Sequence, residues 1–194
     1  MSNKLFIIGA GEFGREIAAI LPYSNQRSNF TQSVFIDDAY PPSEVINGIP
    51  VMGSVNWLCE NEPQANVFIA LGDSELRRKV IDKLKRYDFK YPSIIHDSVT
   101  LHAEFFNNIS EKGVFISQGV IITTNTLIRD FSVIHPNCVL HHDTTLGVNT
   151  TLMTGTIISA GAHFGDDCFV GSGSVIASKK TFPDNTVLSP GTIA

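Results

Sequence analysis

The chain lacks any apolar run that approaches the roughly 20 residues of a membrane-spanning helix. Its first residues, Met-Ser-Asn-Lys-Leu-Phe-Ile-Ile-Gly, hold too short an apolar stretch for a signal peptide, so the chain reads as cytoplasmic. Cysteine is scarce. Cys59, Cys138 and Cys168 are odd in number, which argues against a disulfide framework and for reduced packing residues. Positive charge is in deficit. Lys and Arg number 14 against 19 Asp and Glu, a net charge of −5, which argues against non-specific binding of nucleic acid or anionic lipid. Low-complexity tracts and long linkers are absent. What remains is one compact protein of 194 residues, 43% hydrophobic, long enough to bury a sizeable core.

Its dominant feature is a period of six. Stepping by six from Ile116 gives Ile122, Ile128, Ile134, Leu140, Leu146, Leu152, Ile158, Phe164, Val170, Ile176, Phe182 and Leu188, all apolar. Neither a helix nor an ordinary strand holds that register; a coil of three short strands per turn does. Three residues after each step stand Gly119, Asn125, Phe131, Asn137, Asp143, Asn149, Gly155, Gly161, Asp167, Gly173, Lys179, Asn185 and Gly191. Eleven of these 13 are Gly, Asn or Asp, residues that tolerate tight corners. One position later come small side chains, among them Thr126, Ser132, Cys138, Thr144, Thr156, Ala162, Cys168 and Ser174, suited to a second inward slot.

The first half is built differently. Leu5–Ile8 reads as a buried strand, followed by Gly9-Ala10-Gly11-Glu12-Phe13-Gly14 and then by Ile17, Ile20 and Leu21 at helical spacing. A second strand, Val34-Phe35-Ile36, ends in Asp37-Asp38. A third, Val67–Leu71, runs into Gly72-Asp73-Ser74, where Asp73 or Ser74 can cap a helix with an apolar face of Leu76, Val80, Ile81 and Leu84. Residues 91–95 read as a short closing strand, and the Pro/Gly-rich passage 40–53 as a surface loop. This is an α/β, Rossmann-like unit with a parallel sheet over residues 1–95, followed by the coil over 96–194. Gly9, Gly11 and Gly14 have the G-x-G-x-x-G spacing between strand and helix, where backbone can approach phosphate oxygens at a helix N-terminus. Asp37, at the end of the second strand, can accept hydrogen bonds from a ribose or base. About 95 residues are too few for the two halves of a dinucleotide fold, so a mononucleotide-sized ligand is expected.

Ile128-Arg129-Asp130, Leu146-Gly147-Val148-Asn149, Phe164-Gly165-Asp166-Asp167 and Val170-Gly171-Ser172-Gly173-Ser174 resemble the hexapeptide repeats of left-handed β-helix acyltransferases. That resemblance, not the period, implies the left hand, a homotrimer, and acyl-CoA bound between neighbouring prisms. With the N-terminal domain included, the chain resembles the sialic-acid O-acetyltransferase-like family. That family includes N-acetyltransferases of nucleotide-linked amino sugars in bacterial glycan pathways. The matching elements are Ile8-Gly9-Ala10-Gly11, Phe35-Ile36-Asp37-Asp38, Ala70-Leu71-Gly72-Asp73 with Arg77, and Val139-Leu140-His141-His142-Asp143. The resemblance implies that Gly9, Gly11, Gly14, Asp37, Asp38 and Asp73 bind the nucleotide sugar and present it to the coil. It also implies that His142 is the general base, paired with Asp143.

The chemistry is coherent on the residues themselves. A sugar amine is largely protonated at neutral pH, and an imidazole, with a typical pKa of about 6.5, can take its proton as a thioester carbonyl is attacked. A carboxylate at the other ring nitrogen fixes the tautomer and stabilises imidazolium. Neighbours on a straight strand point to opposite faces, so Asp143 can do this only where the chain turns. A backbone N–H, from Ala160 or Gly161, can hold the oxyanion. His141 borders the groove or shares the catalytic role. His135 lines the sugar site or is a solvated strand residue. His163 reads as a surface residue, and His96 and His102 as structural. Histidines on such a coil also occur in γ-class carbonic anhydrases. His135, His142 and His163 lack that family's pair spacing, and zinc needs three convergent imidazoles, so no metal is expected.

The chain departs from the family pattern in places. Thr150-Thr151 stand where a second histidine is common. Lys180 falls on a small inward slot, where an unpaired ammonium is costly, so the coil is expected to bulge there. Lys179 and Lys180 either meet CoA phosphates or form a solvated loop. The closing segment after Pro190-Gly191-Thr192-Ile193-Ala194 is missing, so the adenine site is expected to be shorter or built by a neighbour. The expected activity is acetyl-CoA-dependent N-acetylation of a nucleotide-linked amino sugar. The alternatives are O-acetylation of a sialic-acid-like or other sugar, and a non-catalytic nucleotide-sugar-binding partner.

Overall fold

The structure, a computed structural model, describes residues 3–101 and 109–194; His102 lies outside the described residues. The chain divides into two compact units, the first ending at Pro92 and the second beginning at Ser93.

In the first unit, β1 (Lys4–Ile8) pairs in parallel with β2 (Gln32–Ile36) on one side and β5 (Asn66–Ile69) on the other. β1 is thus flanked by β2 and β5, and the glycine turn follows its C-terminal end, the edge at which open α/β sheets commonly bind ligands. Helix α1 (Glu12–Ile20) leaves that turn and buries Phe13, Ile17 and Ile20. Residues 40–53 are not a loop. β3 (Val45–Ile46) and β4 (Ile49–Gly53) form an antiparallel hairpin through Asn47 (φ 50°) and Gly48 (φ 81°), and β4 also pairs in parallel with β2. Asn-Gly is a strong hairpin signal; the prolines around it hid it. Helices α2 (Val55–Asn61) and α3 (Ser74–Leu84) are capped by Ser54 and Asp73 side chains. The buried face of α3 is rotated from expectation: Arg77, Ile81 and Leu84 face inward, while Leu76 is 48% exposed.

The second unit is a left-handed parallel β-helix. Two-residue strands recur every six residues from β7 (Phe115–Ile116) to β19 (Val187–Leu188) and stack 18 residues apart into three faces. One face holds β7, β10 (Val133–Ile134), β13 (Thr151–Leu152), β16 (Phe169–Val170) and β19. The second holds β8 (Ile121–Ile122), β11 (Val139–Leu140), β14 (Ile157–Ile158) and β17 (Val175–Ile176). The third holds β9 (Leu127–Ile128), β12 (Thr145–Leu146), β15 (His163–Phe164) and β18 (Thr181–Phe182). The six-step residues fill the prism; Ile128, Ile134, Leu140, Leu146, Leu152 and Ile158 are fully buried. Each such side chain contributes about 1.5–3 kcal/mol through burial. The small second slot is buried too, and its hydroxyls meet backbone carbonyls, as Thr144 Oγ1 meets His141 O at 2.7 Å. All 13 corner residues are left-handed, with φ from 57° at Asn125 to 72° at Gly155. Even Phe131 takes φ 58°; its ring lies where a methyl on Gly113, one coil back, would strike it.

Two expectations are corrected here. Ile94–Ile95 (β6) does not close the α/β sheet. It pairs in parallel with β7, because Ile95 covers the open end of the prism core. Nor does the coil bulge at Lys180. Thr181 and Phe182 keep register with His163 and Phe164, and Lys180 is exposed in the terminal coil, where its ammonium reaches water.

Candidate active site

The glycine turn of the first unit needs its glycines for different reasons. Gly9 has φ 101°, and a methyl on Gly14 would overlap Gly9 O. Gly11 has an ordinary φ of −69° and nothing within 4 Å of where a Cβ would stand. It is the N-cap of α1, which has no side-chain cap, unlike α2 and α3. The open space over Gly11 and the uncapped helix end together suit an anionic ligand.

The three carboxylates singled out in the sequence all carry backbone hydrogen bonds. Asp37 Oδ2 accepts from Ala10 N–H at 2.8 Å, and its Oδ1 accepts from Ala39 N–H at 2.9 Å. Asp37 therefore ties the glycine turn to the end of β2. Asp38 Oδ1 accepts from Val55 N–H at 2.9 Å, and Asp73 Oδ1 from Leu76 N–H at 2.8 Å. A carboxylate has about four lone-pair sites, so each retains capacity for a ligand hydroxyl. A groove of about 530 Å³ in this unit, lined by Lys4, Phe6, Gln64 and Lys90 among others, opens at the opposite, N-terminal ends of β1 and β5. Its position sets it apart from the glycine turn.

In the β-helix, His142 and Asp143 occupy the corner between β11 and β12. Asp143 has φ 60°, and this turn brings consecutive side chains together: His142 Nδ1 lies 2.7 Å from Asp143 Oδ2. Asn125, one coil below, donates from Nδ2 to Asp143 Oδ1 at 3.1 Å. The His142 hydrogen bond first, then the Asn125 one, hold the Asp143 carboxyl below its usual range. An ionised Asp143 accepts the Nδ1 proton and leaves Nε2 of a neutral His142 as the acceptor. Both side chains are more than half exposed. The role of Asn125 was not read from the sequence, although the 18-residue coil length places it directly below Asp143.

The same corner column continues upward. Gly161 N–H donates to His142 O at 3.0 Å, and Lys179 N–H to Ala160 O at 3.0 Å. His142, Asp143, Ala160, Gly161, Lys179 and Lys180 thus share one column. The Gly161 amide is consumed by the ladder, whereas Ala160 N–H has no acceptor among the described residues. His141 is exposed on this column. His135 is not part of it. It stands on the preceding corner, with its ring edge-on to Phe115 at 6.5 Å. His163 is exposed on the third face, and His96 Nδ1 is engaged by Ser98 in a local turn. Among the described residues, no group of three His, Cys, Asp or Glu could hold a metal ion.

Residues 4–84 match the model of the PglD N-terminal domain family. No curated protein gives a significant match to the sequence. Solved structures do. The acetyltransferase domain of PglB from Neisseria gonorrhoeae FA1090 is similar with a TM-score of 0.88 and 23% identity, over 100% of this chain and 91% of that one. The same domain in complex with acetyl coenzyme A gives a TM-score of 0.86 and 22% identity, over 98% and 90%. A histidine-to-alanine mutant of GDP-perosamine N-acetyltransferase from Caulobacter crescentus, in complex with CoA and GDP-perosamine, gives 0.74 and 23%, over 96% and 93%. Over residues 4–84 the chain is therefore similar to the PglD N-terminal domain, and over nearly its whole length it shares the fold of these solved structures.

Proposed function

We propose that the chain transfers the acetyl group of acetyl-CoA to the amino group of a nucleotide-linked amino sugar in bacterial glycan biosynthesis. The observation that carries this reading is the exposed His142–Asp143 pair, Nδ1 to Oδ2 at 2.7 Å, on a corner of the β-helix. The Caulobacter enzyme, an N-acetyltransferase solved with CoA and GDP-perosamine, supports both substrate classes.

His142 Nε2 takes a proton from the sugar amine as the nitrogen attacks the thioester carbonyl carbon. The carbonyl electron pair moves onto oxygen, where Ala160 N–H donates to it. Collapse breaks the carbon–sulfur bond, and the imidazolium returns the proton to the CoA sulfur. Asp143 holds the ring and stabilises the imidazolium. Lys179 and Lys180, further along the column, meet CoA phosphates. Gly9, Gly11 and Gly14 cradle the nucleotide phosphates, with Asp37, Asp38 and Asp73 around them.

The assembly in this reading is a homotrimer. Its support is the outward row of the second face, where Ile121, Ile157 and Val175 are 38–43% exposed, an apolar ladder that association would cover. The reaction belongs in the cytoplasm, in keeping with three free, buried cysteines. Among the described residues no helix is long and apolar enough to cross a membrane.

The test is incubation of the purified chain with acetyl-CoA and a panel of UDP-, dTDP- and GDP-linked amino sugars, read by mass spectrometry. One sugar gaining one acetyl group on nitrogen supports the reading. Acetylation confined to hydroxyls, or to no sugar while a nucleotide sugar still binds, sinks it.

A further inference from the structure

We infer that Arg77 is a positioning residue for the nucleotide: from inside the α/β unit it fixes the turn after β5 and, through that turn, the Gly9 loop. The inference rests on the reading that this loop binds the nucleotide phosphates.

Arg77 is 1% exposed and occupies an inward position of α3 that helical spacing with Ile81 and Leu84 would give to an aliphatic residue. An apolar side chain there avoids the cost of burying a guanidinium, so the arginine calls for a specific reason. Its Nη1 donates to Leu71 O at 2.8 Å. Leu71 lies just past the sheet ladder, beyond the Ala70 N–H bond to Ile8 O at 2.8 Å, so its carbonyl takes its donor from a side chain. The Gly9 loop is packed on the same two residues. A Cβ on Gly9 would stand 2.7 Å from Ala70 O and 3.1 Å from Leu71 Cδ2. A displaced Leu71 turn therefore presses directly on Gly9, whose φ of 101° sets the path into α1. Gly72 in the same turn, like Gly11, has nothing within 4 Å of its absent Cβ. Arg77 thus ties down the turn against which the Gly9 loop packs. Being 1% exposed, Arg77 is a positioning residue, and its bond to Leu71 O is the link to the loop.

The experiment measures binding of UDP, GDP and dTDP by calorimetry, together with melting temperature and the KM for acetyl-CoA. It uses the wild type, Arg77→Met, Arg77→Lys and Gly11→Val, with Leu84→Ala as an α3 core control. Arg77→Met is expected to weaken the nucleoside diphosphate that wild type prefers by about 10-fold or more, the worth of a charged hydrogen bond. This loss should appear well below its melting temperature, with the acetyl-CoA KM unchanged. Arg77→Lys should recover part of the affinity, and Leu84→Ala should bind normally despite a comparable loss of stability. Normal nucleotide binding by Arg77→Met, or an equal loss in Leu84→Ala, would overturn the inference. If Arg77→Met does not fold, Arg77→Lys decides: weakened nucleotide binding at an unchanged melting temperature supports the role, and wild-type binding overturns it. Full nucleotide binding by Gly11→Val, or none by wild type, overturns instead the underlying assignment of the loop.

Discussion

Asn125 and Asp143 stand one coil apart, and the Asn125 amide donates to the carboxylate oxygen that His142 does not use. Asp143 is thereby held at both oxygens, one by the ring it orients and one by the coil beneath. Rotation of the carboxylate would break one bond or the other, so the β-helix itself sets the plane in which the imidazole is held.

The first prediction ranks the supports. Asp143→Asn should lower kcat less than loss of His142, because in the proposed mechanism the aspartate orients and stabilises but takes no proton. Asn125→Ala should lower it less again, since its bond to Asp143 acts at one remove. Steady-state kinetics of the variants checks the order. An Asn125→Ala enzyme more damaged than Asp143→Asn would show that Asn125 meets substrate.

The second concerns pH. Asp143 is held below its usual range, so its bond with His142 is present above the ordinary aspartate value of about 4 and is lost as pH falls through the lowered value. Acid loss of kcat/KM above about pH 5 therefore belongs to another group, and Asp143→Asn should still show such an acid limb, at a lower plateau rate. If wild-type activity holds down to about pH 4 and falls only there, Asp143 ionisation limits the reaction and this assignment fails.

The third separates two glycines that look alike in the motif. Gly14→Ala should destabilise the first unit by about 1–3 kcal/mol or more, because the methyl meets Gly9 O. Gly11→Val meets open space and should melt like wild type while weakening nucleotide-sugar binding. Thermal melts and calorimetry distinguish the two; equal melting temperatures for both variants would contradict the packing described.

The fourth tests the prism. Leu146 is fully buried in its core, so Leu146→Ala should cost about 2–5 kcal/mol in denaturant unfolding. A cost near zero would mean that the six-step residues do not face inward.

The β-helix was legible because every sixth side chain must fit one narrow core, a constraint that leaves three phases in the sequence at once. The corner at Asp143 was legible for the same reason: a position reserved for left-handed residues is where two consecutive side chains can meet. What the sequence hid depended on contacts between distant segments. Leu76 reads as the apolar face of α3, but Arg77 turns inward to reach the Leu71 carbonyl. Ile94–Ile95 reads as one more strand of the first sheet, but the open end of the prism core claims it. That the ladder consumes the Gly161 amide and not that of Ala160 was also not legible in the spacing. The hairpin at Asn47-Gly48 was present as a signal and was outweighed by its prolines.

In the proposed reaction His142 takes the proton from the sugar amine. It is tested most directly by turnover of His142→Ala with acetyl-CoA and the preferred nucleotide-linked amino sugar, measured as CoA thiol release, alongside binding of both substrates. A fall in kcat of roughly 10² to 10⁴ is expected, the usual worth of a positioned general base, with both substrates still bound at near wild-type affinity. Near-normal turnover by His142→Ala, or activity abolished by His141→Ala instead, would contradict it.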